Sequence, residues 1–434
     1  MTDKVVIIQP VFKSHGLMSA YDPEAQMAEA KGLARAIRLE VAGTLQINVS
    51  RPSAATLISS GGVEKALPVI EEIKPEVVFF NGALSPVQQR NLEKAWNAKV
   101  VDRTGLILEI FGDRAQTREG TLQVDLALLE YRRSRLVKSW THLERQRATG
   151  KTGGPGETQI ELDRRLLDTE MAQIKKQIEQ VRNTRDLQRK ARERAPYPLV
   201  AIVGYTNAGK STLFNKLTGA EVLAKDMLFA TLDTTSRMLK IPGGQKVILS
   251  DTVGFITDLP TQLVAAFRAT LEQVTQATII LHVQDVSDPH HAQRRKDVLE
   301  ILEEIGTDLT AIPMIDVFNK VDMLPEGSQR KIVSFASRGE KSVNISAISG
   351  DGFDALLNLI KDHLDTDRVE ESIKLPISEG KWLAWLHAHG EVVSDRTRTD
   401  QRYLKVRLSQ ADYDKYLQQS PYAPKKKVKA NDWE

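Results

Sequence analysis

At 434 residues, with 41% hydrophobic and 27% charged residues, the chain has the composition of an ordinary soluble globular protein, long enough for roughly two or three domains with cores of their own. No apolar run reaches the roughly 18 residues that a membrane span needs. The opening MTDKVVIIQP lacks the basic, apolar and small-residue order of a secretory signal, and the absence of cysteine excludes disulfides and thiolate metal sites. A cytoplasmic location is the expectation.

The first hundred residues alternate two periods. KVVIIQP, TLQINVS, EVVFF and KVVD are short β-branched runs, and PEAQMAEAKGLARAI, VEKALPVIEEI and SPVQQRNLEKAWN between them are helix-forming. Ser85 stands as an N-cap with Pro86 at the first helical position. This rhythm predicts an N-terminal α/β domain over 1–115 with a mainly parallel sheet.

The period then changes. Leu122, Leu126, Leu129, Leu136, Trp140 and Leu143 follow a heptad seam interrupted by Arg133, and Leu167, Met171, Ile174, Ile178 and Val181 repeat it. Two such helices joined by a glycine-rich turn make a long antiparallel hairpin, an arm over 116–196. Taken as one helix, Glu157 to Arg194 is about 57 Å long at 1.5 Å per residue. Residues 131–196 hold 17 Lys+Arg against 9 Asp+Glu, so a net charge of +3 conceals a basic arm in a mildly acidic protein. That suits a local anionic partner, and equally a solvated helical face.

The turn, RQRATGKTGGPGETQ, contains Gly150-Lys151-Thr152 but is no phosphate loop. That motif would need glycine where Arg145 stands, and a strand where a heptad helix precedes. Its glycines (Gly153, Gly154 and Gly156 within a tip over 148–157) permit a tight reversal and close backbone approach to a partner. Arg145, Arg147 and Lys151 flank them with positive charge. A basic arm with a glycine tip suits folded RNA read by shape and phosphate; an ordinary flexible turn is the plainer alternative.

From Leu199 the βα rhythm resumes, predicting a nucleotide-binding domain over 197–366. The apolar run PLVAIVG enters GYTNAGKS and then the helix-like TLFNKLTG, which is G-x-x-x-x-G-K-[ST] in its required strand–loop–helix setting. Gly204, Tyr205, Thr206, Asn207, Ala208, Gly209, Lys210 and Ser211 would wrap the phosphates. Lys210 would reach the β- and γ-phosphates and Ser211 would hold Mg²⁺. In VILSDTVG, Asp251 ends an apolar run and would hold Mg²⁺ through its water shell. Thr252 and Val253 lead to Gly254, which offers its N–H to the γ-phosphate. In MIDVFNKVD, Asn319, Lys320, Val321 and Asp322 follow a third run. The Asp322 carboxylate would accept from N1–H and N2 of guanine, selecting GTP over ATP. Ser346, Ala347 and Ile348 would donate backbone N–H groups to guanine O6. Four elements in this order, each at the C-terminal end of a strand, mark the crevice of an open α/β sheet.

Between the first two elements lies LFATLDTTSR, where Phe229, Ala230, Thr231, Leu232 and Asp233 are candidates to close over the nucleotide. Thr231 is the chosen Mg²⁺ ligand, with Thr234 and Thr235 as alternatives. Two residues qualify the catalytic set of Lys210, Thr231, Gly254 and Asn207. Phe255 follows Gly254 where many small GTPases keep a water-orienting glutamine. Either hydrolysis is slow without a partner, a cation or a rearranged switch, or Phe255 fills the core and another residue takes over. The Asn207 amide is placed to help hold a monovalent cation, K⁺, beside the phosphates.

The last stretch, 367–434, reads ESIKLPIS, a helix from EGKWLAWLHAHG, strands in EVVSDRTRTD and RYLKVRLS, then QADYDKYLQQ. It predicts a small α+β module ending in the solvated basic tail KKKVK. The predicted fold class is therefore multidomain α/β: an N-terminal α/β domain with a long antiparallel helical hairpin, a P-loop GTPase domain with a mostly parallel sheet, and this module.

GGPGETQIELDRR followed by GYTNAGKSTLFN, LFATLDTT, DTVGF and NKVD resembles the HflX family of GTPases, as do NGALSPVQQRNLE and DRTGLILEIF upstream. The resemblance covers roughly residues 1 to 365. It implies a cytoplasmic, ribosome-associated GTPase that binds the large (50S) subunit, reaches the peptidyl-transferase region of 23S rRNA with its N-terminal domain and arm, and splits stalled 70S ribosomes under stress. The expected protein is a monomer without a membrane span, using Mg²⁺ with GTP. A hydrophobic residue at the Phe255 position is what the resemblance implies, whereas the C-terminal module varies. Two other readings stand beside it: a GTPase of ribosome assembly or RNA modification, and a GTP-sensing RNA-binding scaffold.

Overall fold

The computed structural model describes residues 3–13, 21–139, 155–192, 197–219, 229, 235–257, 271, 273–325, 341–365 and 368–423. The chain is a multidomain α/β protein, and its described residues form two compact units, Met1–Arg237 with Ile248–Asp351, and Met238–Val247 with Gly352–Glu434.

The first unit opens with β1 (Lys4–Phe12), α1 (Pro23–Ala36), β2 (Glu40–Val49), α2 (Ser60–Ile73), β3 (Val77–Phe80), α3 (Pro86–Trp96), β4 (Lys99–Asp102) and α4 (Arg103–Arg114). The strands form a sheet of order β2-β1-β3-β4, parallel throughout. Val5 to Ile8 are buried on both faces, as a strand covered by helices on each side must be. Local signals set the helix starts: Asp22 caps α1 with Pro23 next, and Ser85 and Gln88 form a reciprocal capping box on α3.

Two long helices follow, α5 (Arg118–Ser139) and α6 (Pro155–Arg192). They pack through Leu129, Met171 and Ile174, with Leu122, Leu126, Leu167 and Ile178 around them, the heptad seam read from sequence. The second helix begins at Pro155, two residues earlier than expected. Proline suits a first helical turn, where its missing N–H costs nothing.

The nucleotide-side sheet is built from β5 (Leu199–Gly204), β6 (Thr235–Lys240), β7 (Lys246–Asp251), β8 (Ile279–Asp285), β9 (Met314–Asn319) and β10 (Ser342–Asn344), with α7 (Lys210–Thr218) after β5 and α8 (His291–Glu304) after β8. Its order is β10-β9-β8-β5-β7-β6, and the pairs from β10 through β7 are parallel. One continuous apolar cluster joins the two sheets' surroundings, running from Leu106, Ile110 and Phe111 of α4 to Tyr205, Phe229, Val253 and Phe255.

In the second unit, α9 (Phe353–Asp365) precedes β11 (Arg368–Pro376), α10 (Gly380–His389), β12 (Gly390–Arg398), β13 (Gln401–Ser409) and α11 (Gln410–Gln419). β13 is the central strand of an antiparallel sheet, β11-β13-β12. Leu404, Val406 and Leu408 face a core with Trp382, Leu386 and Tyr416 from the two helices.

Candidate nucleotide site

β5 ends between β7 and β8, so the chain leaves to opposite sides there and a crevice opens at its C-terminal end. The loop in that crevice is shaped by backbone that side chains would obstruct. Gly209 has φ +94°, and a Cβ on it would lie 2.2 Å from Asn319 Nδ2; only glycine fits. Asn207, exposed at the loop's outer edge, also adopts a left-handed φ of 61°.

Lys210 opens α7 with its side chain buried, and its Nζ donates to the Tyr205 carbonyl at 2.8 Å. Burial pushes the Lys210 ammonium down to about 8, against the pull of the Asp251 carboxylate. A cation held this way has surrendered water in advance and is poised to pair with phosphate. Gly254 lies against it, since a Cβ there would sit 2.9 Å from Lys210 Nζ.

The Ser211 hydroxyl donates to Asp251 Oδ2 at 2.8 Å. This side-by-side hydroxyl and carboxylate are hard oxygen donors of the type Mg²⁺ takes while keeping most of its waters. Thr206, packed against Gly254, keeps its buried Oγ1 without a hydrogen-bond partner among the described residues. The residues present therefore fit Mg²⁺ with a phosphate ligand.

The segment after Asp251 is zipped to the loop by backbone: Thr206 N donates to the Phe255 carbonyl at 2.7 Å, and Phe255 N to the Gly204 carbonyl at 3.2 Å. Thr252 anchors it below by donating to the Ile202 carbonyl at 2.6 Å. Val253 and Phe255 are buried in the core, so Phe255 packs and has no group with which to orient water.

At the other end, Asn319 ties two elements together. Its Nδ2 donates to the Ala208 carbonyl at 2.8 Å and its Oδ1 accepts from Ala347 N at 2.9 Å. Lys320 follows with a left-handed φ of 65° and pairs with Asp285 at 2.7 Å. This bend starts the short helix Val321–Met323, on which Asp322 is exposed. Ser346 and Ala347 are buried, and Ile348 is exposed beside them.

Other sequence-predicted residues go elsewhere. Phe229 is buried edge-to-face on Phe111, centroids 4.6 Å apart, so its ring belongs to the core. Thr235 begins β6. Ala230, Thr231, Leu232, Asp233 and Thr234 lie outside the described residues, as do Arg145, Arg147, Lys151, Gly153 and Gly154 of the arm; Gly156 lies in the first turn of α6.

Sequence reasoning missed a polar cluster behind the loop. The Tyr205 side chain turns toward the N-terminal sheet's helices, where its hydroxyl donates to Glu29 Oε1 at 2.8 Å, accepts from Thr257 N at 2.8 Å and lies 2.6 Å from Thr257 Oγ1. Burial, with Glu29 beside it, holds the Tyr205 hydroxyl well above its usual range. Arg103 pairs with Glu29 at 3.2 Å and donates to the Thr257 carbonyl at 2.9 Å. Its neighbour Asp102 accepts from Tyr131 at 2.7 Å and from Arg135 at 2.7 Å, both on α5. Nothing local announces these partners; Glu29 and Tyr205 are 176 residues apart.

Comparison with known proteins gives this arrangement its relatives. Family models described as GTP-binding GTPase N-terminal, GTP-binding GTPase Middle Region, 50S ribosome-binding GTPase and HflX C-terminal domain match residues 24–112, 114–192, 199–320 and 331–433. GTPase HflX of Magnetococcus marinus is 50% identical over 86% of this chain and 85% of its own. GTPase HflX of Escherichia coli is 43% identical over 83% and 85%. A GTP-binding protein of the archaeon Sulfolobus solfataricus, solved with GDP, aligns at 20% identity and a TM-score of 0.45, covering 83% of this chain and 98% of that one. With a phosphate loop built on Gly209 and Lys210 and relatives of this identity along most of its length, the chain belongs to the HflX family of GTPases.

Proposed function

We propose that this GTPase binds the large (50S) ribosomal subunit through 23S rRNA and splits stalled 70S ribosomes under stress. GTP binding drives engagement, and hydrolysis drives release. The observation that carries the reading is the pair Asp102–Arg103. Arg103 holds the Thr257 carbonyl, three residues beyond Gly254, while Asp102 holds Tyr131 and Arg135 at the root of the basic arm. A γ-phosphate that accepts from the Gly254 N–H shifts the segment that carries Thr257, and adjacent residues of one helix start pass that shift to α5. Nucleotide-dependent local order with a global readout is how such switches work.

In this reading the chain works as four parts, 1–115, 116–196, 197–366 and 367–434, and as a cytoplasmic monomer. Lys210 and the loop N–H groups hold the phosphates, Asp322 and the Ser346–Ile348 backbone hold guanine, and Thr231 closes over the site. Mg²⁺ held by Ser211, Asp251 and Thr231 would neutralise charge developing on the β- and γ-phosphates. Phe255 leaves water unoriented, and Asn207 beside a K⁺ would supply positive charge in its place. Arg145, Arg147, Lys151 and the tip glycines Gly153, Gly154 and Gly156 contact rRNA.

The test is GTP turnover in potassium buffer with and without purified large subunits, followed by splitting of intact ribosomes. Strong stimulation and splitting are expected, both sensitive to deletion of Lys151 to Gly156 with GTP affinity unchanged. Tight GTP binding without stimulation would sink the proposal, and equal turnover in sodium would sink the role of K⁺.

A further inference from the structure

The C-terminal sheet buries one face and leaves the other uncovered by any described element. Leu404, Val406 and Leu408 of β13 point to the helices, so Tyr403, Lys405 and Arg407 point the other way. The register builds rows across that outer face. Glu370 and Arg407 share one row, and Lys374, Tyr403 and Arg396 another, with Gln401 and Arg398 paired beyond them. Charge is sorted along these rows. At one end Glu370 takes both Lys405 and Arg407. At the other, Lys374, Arg396 and Arg398 are exposed and no carboxylate is recorded against them among the described residues.

In the midst of those cations, on the central strand, stands Tyr403, 40% exposed, with Lys374 Nζ 5.1 Å from its ring centroid. A large aromatic ring left open on a sheet face, beside cations with no acidic partner among the described residues, offers a surface on which a base can stack with its phosphates alongside. Sheet-borne aromatics stack unpaired bases, and flanking Lys and Arg neutralise the backbone. An acidic protein surface would satisfy the cations but leaves the exposed ring unexplained. Duplex RNA presents its phosphates but no open base for the ring.

We infer that the outer face of β11-β13-β12 binds a single-stranded segment of RNA, stacking a base on Tyr403 with Lys374, Arg396 and Arg398 on the adjoining phosphates. The choice of RNA rests on the ribosomal reading above, and none of these residues belongs to the nucleotide loop or to the arm.

The test uses the full chain and a fluorescein-labelled 12-nucleotide RNA containing 4-thiouridine, without ribosomes, so it does not depend on splitting. Cross-linked peptides should come from β12 and β13, and Tyr403→Ala should weaken that component of binding roughly tenfold while Tyr403→Phe keeps it. The double change R396E/R398E should weaken binding further and flatten its salt dependence. Cross-links confined to the arm, an unchanged affinity in Y403A, or equal loss in Y403F and Y403A would overturn the inference. So would displacement of the RNA from this face by polyglutamate of matched charge, which would assign it to an acidic protein. Unaltered GTP binding in every variant checks that the fold is intact.

Discussion

The N-terminal sheet, parallel throughout, and the nucleotide-side sheet, parallel from β10 to β7, put the ends of their strands to opposite uses. Where β5, β7 and β9 end, the chain supplies glycine and backbone: Gly209 and Gly254 leave room that a Cβ would fill, and the buried Lys210 waits in it. Where β3 and β4 end, it supplies side chains. Asn81, Asp102 and Arg103 are buried there, and Asp102 alone accepts from Gly105 N, Leu84 N, Tyr131 and Arg135. An open parallel sheet has a crevice at its carboxyl edge in either case. Left empty by glycine it takes a ligand; filled with satisfied polar groups it becomes a joint.

Filling the first crevice should have the largest effect. In Gly209→Ala the Cβ meets Asn319 Nδ2 at 2.2 Å on a residue held at φ +94°. Strain of this kind costs about 3 kcal/mol, so GTP affinity should fall more than a hundredfold in a fluorescent-nucleotide titration. Emptying the second comes next. Asp102→Ala removes four accepted hydrogen bonds and leaves the Arg135 guanidinium without its carboxylate. A loss of about 3 kcal/mol in unfolding free energy is expected, with GTP affinity in the folded protein nearly unchanged. If the alanine variant lost nucleotide affinity as badly as G209A, the division between pocket and joint would fail.

This contrast also explains what could be read in advance. The pocket is made by short contiguous strings, each a strand followed by a turn that only certain residues permit, so Gly209, Lys210, Asp251 and Asn319 are legible. The heptads of α5 and α6 are legible for the same reason: their partners recur at fixed spacing. Asp102 caps α4 before the apolar TGLILEIF, but its part in the arm depends on Tyr131 and Arg135 arriving from the next helix. The Glu29–Tyr205–Thr257–Arg103 cluster had none, since it is assembled only when both sheets are folded. Tyr205 stands in the phosphate loop by its backbone, while its side chain reaches Glu29 and Thr257 in the joint.

Tyr205→Phe sharpens the comparison at a single atom. It deletes the hydroxyl that accepts from Thr257 N and donates to Glu29 and leaves the ring under Arg294, whose guanidinium is 4.5 Å from its centroid. The loss should be about 1.5 kcal/mol of stability. GTP affinity should change little, because the loop backbone is untouched, while ribosome-dependent turnover should drop more than basal turnover. Equal drops in both would mean that Tyr205 serves the pocket and not the joint.

The smallest effect expected is one of pH, and it belongs to the pocket alone. Burial pushes Lys210 down to about 8 in the free protein, and phosphates bound against it favour its charged form. GTP binding therefore takes up a proton wherever the free protein has released one, so affinity is level below neutrality and declines as pH rises through 8. Between pH 7.5 and 8.5 a group with that value predicts a decline of about threefold, or roughly 0.7 kcal/mol. The joint adds nothing in this range: the Tyr205 hydroxyl titrates far higher. Titrations of wild type and Y205F across this range should fall in parallel. A steeper fall in Y205F would show that the joint, and not burial of Lys210 alone, sets the charge in the crevice.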